Sequence, residues 1–380
     1  MERFETVIVG GGQAGLATAY HLQKRKRPFV ILEANERIGD SWRKRWDSLR
    51  LFTPAKYDGL PGLRFPGRRW SFPTKEEMGD YLEAYAKRFE LAVRTGVFVD
   101  RVFHDGGRYV IESGHQAFEA DNVVVATGAH RTPKLPSFAR ELDPRIVQLH
   151  SAGYRNPAQL REGGVLVVGV GNSGAEIAFE LSRTHQVWQS GRPSAELPVR
   201  HGSVPARFVL PLIRFVGTRI LTVKTPIGRK IRPRFLVAAA PLIRIKSKHL
   251  ADAGVERVPR VVGVREDLPL LADGRVLDVA NVVWCSGFRY DFSWIDLPVF
   301  AESGEPIHKR GVVPSAPGLY FVGLVFQTAA VSDVLPGVGR DAAYVAKRIA
   351  SVRATSSTSV PSGDVAFAPG PVAVQQRLRG

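Results

Sequence analysis

The residues in this sequence best suited to bind a reactive group are glycines. Gly10, Gly12 and Gly15 stand in Thr6-Val7-Ile8-Val9-Gly10-Gly11-Gly12-Gln13-Ala14-Gly15, where a β-branched run gives way to helix formers. A G-x-G-x-x-G in that setting cradles a pyrophosphate. The first glycine takes the tight turn, the second lets phosphate approach the backbone, and the third lets the helix pack close to the strand. The helix start, with Gln13 and Ala14 in its first turn, offers free N–H groups and a favourable dipole. A second copy follows 159 positions later: Gly169, Gly171 and Gly174 after Val165-Leu166-Val167-Val168, with Asn172 and Ser173 opening the helix. At the same offset, Val123-Val124-Val125-Ala126-Thr127-Gly128 recurs as Val282-Val283-Trp284-Cys285-Ser286-Gly287. Each reads as a short buried strand ending in small residues, where a bulky side chain would block a nucleotide.

The residue 18 positions after each third glycine separates the two sites. In the first copy it is Glu33, a carboxylate at a strand end that can accept from both hydroxyls of an adenosine ribose and would repel a 2′-phosphate. In the second it is Arg192, whose guanidinium suits a 2′-phosphate. The first site therefore fits the adenosine of FAD, and the second fits NADPH better than NADH.

To position these turns the chain needs two strand-turn-helix units, each closed by a second parallel strand. The expected fold is α/β, with two Rossmann-like dinucleotide-binding domains and the NADPH domain inserted into the FAD domain. Residues 1–155 and 290–350 form the discontinuous FAD domain in this reading, and residues 160–289 the NADPH domain. Residues 351–380, rich in Ser, Thr, Pro and Gly, have the composition of a disordered tail.

Composition narrows the function. The single cysteine, Cys285, rules out an internal disulfide, a CxxC pair and a cysteine-built metal site. No metal-ligand spacing and no Ser-His-Asp order stands out. The first strand begins within a few residues of Met1, so no leader is expected and the cytoplasm is the expected location. The net charge is +17, of which residues 192–249 carry +12, with nine Arg and four Lys against Glu196. No recognition helix or aromatic-basic module accompanies them, so nucleic acid is not an expected partner. Within this stretch, about 195–250, apolar runs such as Phe208-Val209-Leu210-Pro211-Leu212-Ile213 alternate with cations. Three readings stay open: a lid over a hydrophobic substrate pocket, a peripheral contact with an anionic membrane, or a solvated hairpin.

Local motifs add a resemblance. They are Glu36-Arg37-Ile38-Gly39-Asp40-Ser41-Trp42-Arg43, Asp47-Ser48-Leu49-Arg50-Leu51, Phe72-Pro73-Thr74-Lys75, Asp80-Tyr81-Leu82-Glu83-Ala84-Tyr85-Ala86, Gly169 to Glu176, and Gly318-Leu319-Tyr320-Phe321-Val322-Gly323. With these the chain resembles the class B flavin-containing monooxygenases, most closely the YUCCA-like branch and the bacterial CzcO-like flavoproteins. The resemblance implies FAD contacts at Ser41, Trp42, Gly323 and Gln327, beside Ala126, Thr127 and Gly128, and NADPH contacts at Ser286 and Gly287. It implies that NADPH reduces the flavin and that a C4a-hydroperoxyflavin then oxygenates a small hydrophobic or aromatic substrate with molecular oxygen. The flavin itself carries that chemistry.

His150 and Tyr154 match the second half of the family signature F-x-G-x-x-x-H-x-x-x-(Y/F), while Pro144 and Ile146 replace its Phe and Gly. His150 reads either as an interdomain coupler or as a loop histidine. Near Phe52 and Thr53 the asparagine of animal-type members is missing, as it is in the YUCCA-like branch. The helix near Gly337 and Gly339 is expected to stabilise negative charge on reduced flavin, its glycines clearing space for the ring. The rival functions are a reductase or oxidase delivering electrons to a quinone, a protein or oxygen, and a non-catalytic flavoprotein accessory to cation transport.

Overall fold

A computed structural model describes residues 1–128, 132–237 and 240–351; the predicted tail lies almost wholly outside these. The chain opens as β1 (Glu2–Val9), α1 (Gln13–Gln23) and β2 (Val30–Leu32), a parallel pair joined through a helix. Val7, Ile8 and Val9 are at most 4% exposed, as expected of a strand covered on both faces. Next come α2 (Lys75–Arg88), β3 (Val93–Arg94), the antiparallel β4 (Arg101–Asp105) and β5 (Arg108–Ser113), and the long β6 (Gln116–Val125). The second unit holds β7 (Val147–His150), β8 (Val165–Val168), α3 (Asn172–Leu181), β9 (Val187–Ser190), α4 (Ala206–Phe215), α5 (Pro226–Val237), β10 (Glu256–Val258) and β11 (Asn281–Trp284). The chain then returns to the first unit through β12 (Leu319–Phe321) and α6 (Leu335–Ser351).

Two sheets result. The first runs β3-β2-β1-β6-β5-β4, with β12 beside the C-terminal half of β6. The second runs β10-β9-β8-β11-β7, all parallel. In each, the strand that carries the glycine turn lies between its βαβ partner and the strand that ends in the second small-residue motif. Ligands bind at such topological switch points, outside the carboxyl ends of the strands. One detail departs from the sequence reading. Val147–His150 pairs with Asn281–Trp284, so the chain has entered the second sheet by residue 147 rather than after 155.

Helix α2 shows why the motifs around it are held firmly. Thr74 and Glu77 form a capping box, with Glu77 N–H donating to Thr74 Oγ1 at 3.1 Å and Thr74 N–H to Glu77 Oε2 at 2.7 Å. Met78, Tyr81, Leu82 and Tyr85 make one buried face, each contributing roughly 1.5–3 kcal/mol on burial. This face shares a core with α1 and α6.

The basic stretch is an excursion from the second unit that lands on the first. Its ends pair with each other, Leu197 N–H donating to Leu242 O at 2.9 Å and Leu242 N–H to Ala195 O at 2.8 Å. Its middle reaches the first unit through Val223 N–H to Thr328 O (2.9 Å), Ala330 N–H to Leu221 O (2.9 Å), and Phe235 edge-on to Phe326 at 5.2 Å. Arg207 and Arg214 lie over Trp70 and Tyr57. The stretch is therefore tied to the first unit at these points, while α4 buries only Ala206.

Candidate cofactor and active site

The two glycine turns are near copies in three dimensions. Gly10 has φ +108°, and a Cβ there would lie 2.7 Å from Ala126 O; Gly169 has φ +128°, and its Cβ would lie 2.3 Å from Cys285 O. A Cβ on Gly15 would meet Gly10 O at 1.9 Å, and one on Gly174 would meet Gly169 O at 2.2 Å. The first glycine of each turn is thus required by the backbone of the neighbouring strand end, and the third by the backbone of the turn itself. Around Gly12 nothing lies within 4 Å of a built Cβ. The space there leaves the start of α1 open to a pyrophosphate, and the N-cap of α3, Gly171, likewise carries no side-chain cap. Gly128 (φ +74°) and Gly287 (φ +84°), after β6 and β11, are open in the same way.

The two residues expected to select the ribose, Glu33 and Arg192, differ in preparation. Glu33 Oε2 accepts from Gly11 N–H at 2.6 Å, and Oε1 accepts from Asn35 N–H at 2.9 Å and Asn35 Nδ2 at 2.6 Å. The carboxylate is oriented by its own turn. Arg192 follows Gly191 at the end of β9, is exposed, and forms no ion pair or side-chain hydrogen bond among the described residues.

Other predicted residues divide by how their side chains are used. Gln13 Nε2 donates to Asp333 O at 2.8 Å, and Gly323 (φ +91°) sits against Ala14, so the loop after β12 meets the start of α1. Ala126 N–H pairs with Val9 O, and Thr127 continues to the open Gly128. Ser41 is exposed and Trp42 half-buried on the turn Asp40–Arg43. Asn172 is already occupied, its amide spanning Pro241 O and Ile243 N–H, both at 3.0 Å, at the exit of the basic stretch. Ser173 lies in the first turn of α3, and Ser286 Oγ donates to Lys134 O. Gln327 is 1% exposed and spends its amide on Phe321 O and Leu324 N–H, so it braces the loop after β12 rather than offering its side chain to a ligand.

Two expectations change. His150 is no loop residue: it ends β7, its Nδ1 accepts from Ala152 N–H at 3.1 Å, and its Nε2 donates to Gly287 O at 3.0 Å. Burial lowers its pKa and keeps the ring neutral. Tyr154 is fully buried and donates to Glu180 Oε2 at 2.8 Å, which anchors α3; burial drives its phenol pKa far up. The glycines of α6 clear no space, because a Cβ on Gly337 would lie 1.7 Å from Val331 O and one on Gly339 2.7 Å from Pro61 Cγ. Both admit protein backbone and side chain rather than a ring.

A belt of polar contacts, largely unforeseen from the sequence, joins the units. Lys75, 6% exposed, donates to Arg43 O, Arg45 O and Asp47 Oδ1 at 2.9–3.0 Å, while Asp47 Oδ2 accepts from Asn156 Nδ2 at 2.7 Å. Arg43 pairs with Asp80 and Glu83 of α2 at 2.7 Å each. The four motifs behind the resemblance that lie between residues 36 and 86 are thus one interlocked clamp. Arg244 crosses from the second unit, its Nε 3.6 Å from Glu176 Oε1 and its Nη1 donating to Arg50 O at 3.2 Å. His201 Nε2 donates to Phe52 O at 3.0 Å. Next to it, Asp58 is fully buried, accepts from Thr53 through one oxygen and has no partner for the other; burial pushes its pKa up to about 7. The sequence signal for Lys75 and Arg43 was their place in the motifs; Asp58 and Arg244 carried none.

Known proteins share this arrangement. A family model described as pyridine nucleotide-disulphide oxidoreductase matches residues 7–195. The chain is 38% identical over 344 residues to an oxidoreductase named CzcO-like from Geobacillus kaustophilus, covering 90% of this chain and 97% of that one. It is 30% identical to the probable indole-3-pyruvate monooxygenase YUCCA7 of Arabidopsis thaliana, covering 91% and 87%. The solved structure of a flavin-containing monooxygenase from Stenotrophomonas maltophilia matches with TM-score 0.72 at 26% identity, covering 92% of this chain and 98% of that one. Among the described residues no helix is long and apolar enough to cross a membrane.

Proposed function

Because the chain belongs to the family of the CzcO-like oxidoreductases and YUCCA monooxygenases, within the class B flavin monooxygenases, we propose that it is an NADPH-dependent monooxygenase of a small hydrophobic or aromatic substrate. As a member of that family it is a flavin-dependent oxidoreductase using FAD and NADPH. The observation that carries the finer reading is the pair of duplicate turns with opposite ribose selectors, Glu33 and Arg192, joined by a polar belt and bridged by the basic stretch.

In this reading Gly10, Gly12, Gly15 and Glu33 would hold FAD, with Ala126, Thr127, Gly128 and Gly323 lining its cleft. Gly169, Gly171, Gly174 and Arg192 would hold NADPH beside Ser286 and Gly287. Bound FAD and NADPH supply the hydride transfer and oxygen activation that no side chain can. The chain's own residues position and enclose. His150 holds the Gly287 turn by its carbonyl, and Glu33 holds Gly11 at the FAD turn. The basic stretch acts as a lid, its Phe235–Phe326 contact helping to keep water out. Asp58, pushed up to about 7 by burial, would exchange a proton beside Thr53 around neutral pH. The FAD unit is assigned to residues before 147 and after about 290, and the NADPH unit to the segment between.

The test is anaerobic reduction by NADPH, then mixing with oxygen while peroxide and oxygenated product are measured against a panel of small aromatic compounds. Product formation with suppressed peroxide release is expected for at least one compound. Stoichiometric peroxide with every compound would instead make the protein an oxidase or reductase, and failure of NADPH to reduce it would remove catalysis.

A further inference from the structure

A cavity of about 240 Å³, none of whose lining residues belongs to either glycine turn, opens where the basic stretch meets the first unit. Arg219, Lys224 and Thr222 face it from the stretch, and Arg310, Arg340 and Thr328 from the first unit. None of these four cations forms an ion pair among the described residues, and Arg219 and Lys224 make no side-chain hydrogen bond there. Arg310 is held at φ +56°, a left-handed conformation that a non-glycine residue keeps only under constraint. Its guanidinium lies 3.7 Å from the centre of the Tyr344 ring, and its buried Nε has no partner. Arg340 donates to Thr218 O, and its pKa is lowered by burial and by Arg219. A guanidinium does not give up its proton, so the cations crowd one another without relief. The carboxyl beside them, Asp341, is 1% exposed, and burial raises its own pKa, so it supplies at most one negative charge.

We infer that this cavity binds a phosphate group. A carboxylate brings one charge and one planar edge, enough for a single guanidinium; four cations converging with threonine hydroxyls match the charge and the several acceptor oxygens of a phosphate dianion. Because the donors come from both sides of the contact, the anion fastens the basic stretch onto the first unit. The site does not depend on the monooxygenase reading. The phosphate is carried either by a free small molecule or by a lipid headgroup; Val204, Phe208, Leu212 and Phe215, 55–76% exposed on and beside α4, lie on the same stretch.

The test is calorimetric titration of inorganic phosphate into the FAD-loaded protein saturated with NADP⁺, which occupies the Arg192 site. Saturable binding is expected, weakened at least tenfold in the Arg219→Gln/Lys224→Gln variant and unchanged in Arg192→Gln. The double variant should keep wild-type FAD content, and phosphate should raise the Tm of the wild type but not of the variant. No saturable binding, or equal binding by the double variant, would overturn the site. Co-sedimentation with phosphatidate-containing vesicles, lost in the double variant and absent with phosphatidylcholine alone, would identify a headgroup. Phosphate binding without co-sedimentation would identify a free ligand.

Discussion

A Cβ on Gly15 would lie 1.9 Å from the Gly10 carbonyl, and one on Gly174 would lie 2.2 Å from that of Gly169; to that depth the two units are interchangeable. They differ beyond the turn. In the first, Glu33 is held by three hydrogen bonds, and the helix start is met by the loop after β12 through Gln13 and Ala14. In the second, Arg192 stands in solvent, and Asn172 is tied to the exit of the basic stretch. A selector already oriented loses little rotamer freedom on binding, whereas a free guanidinium loses most of its own. In the proposed reading the first unit is shaped to retain its dinucleotide and the second to exchange it.

The largest effect should come from breaking what the units share. Gly15→Ala and Gly174→Ala each push a methyl into a backbone carbonyl that no rotamer change relieves, costing about 3 kcal/mol or more; soluble yield and Tm should fall sharply in both. Gly12→Val tests the open position, where the protein should fold but purify without flavin, as its visible spectrum would show. Normal FAD content would refute the placement. Next comes the selector: Arg192→Ala should raise the KM for NADPH by about tenfold to a hundredfold, the worth of a hydrogen bond to a charged group at ~1.5–3 kcal/mol, and leave that for NADH unchanged. An equal rise for both would remove the phosphate role.

The smallest effect compares two buried carboxyls, both pushed up to about 7 by burial: Asp58, with no cation beside it, and Glu176, with Arg244 at 3.6 Å. A folded-state pKa raised above the unfolded one means the native protein binds the extra proton, so stability falls as pH rises from about 4 to about 7. Asp58→Asn should therefore raise Tm by several degrees at about pH 8 and scarcely at about pH 4. Glu176→Gln should gain less, because Arg244 already offsets part of the buried charge. Thermal melts across that range decide it.

Glycine positions were legible because tight turns and close approaches are local backbone demands, and the constant 159-residue offset repeated them. Other glycines show the limit: Gly337 and Gly339 suited a space-clearing role equally well until their neighbours, Val331 and Pro61, were known. The strand Val147–His150 was missed because its partner is Asn281–Trp284, more than a hundred residues away. Gln327 entered as an FAD contact through the resemblance alone, and nothing local announces that its amide folds back on Phe321 and Leu324.

By itself the sequence determined the two-unit α/β architecture, the opposite charges of Glu33 and Arg192 at equivalent strand ends and the concentration of cations between residues 192 and 249, since these depend on residue type and spacing alone. Tertiary structure decided where that basic stretch lands, which motif residues lock one another in place, and which cations are left without a counter-charge. Those outcomes depend on distances between residues far apart in the chain, and the balance between burial and pairing exists only once the chain has closed on itself.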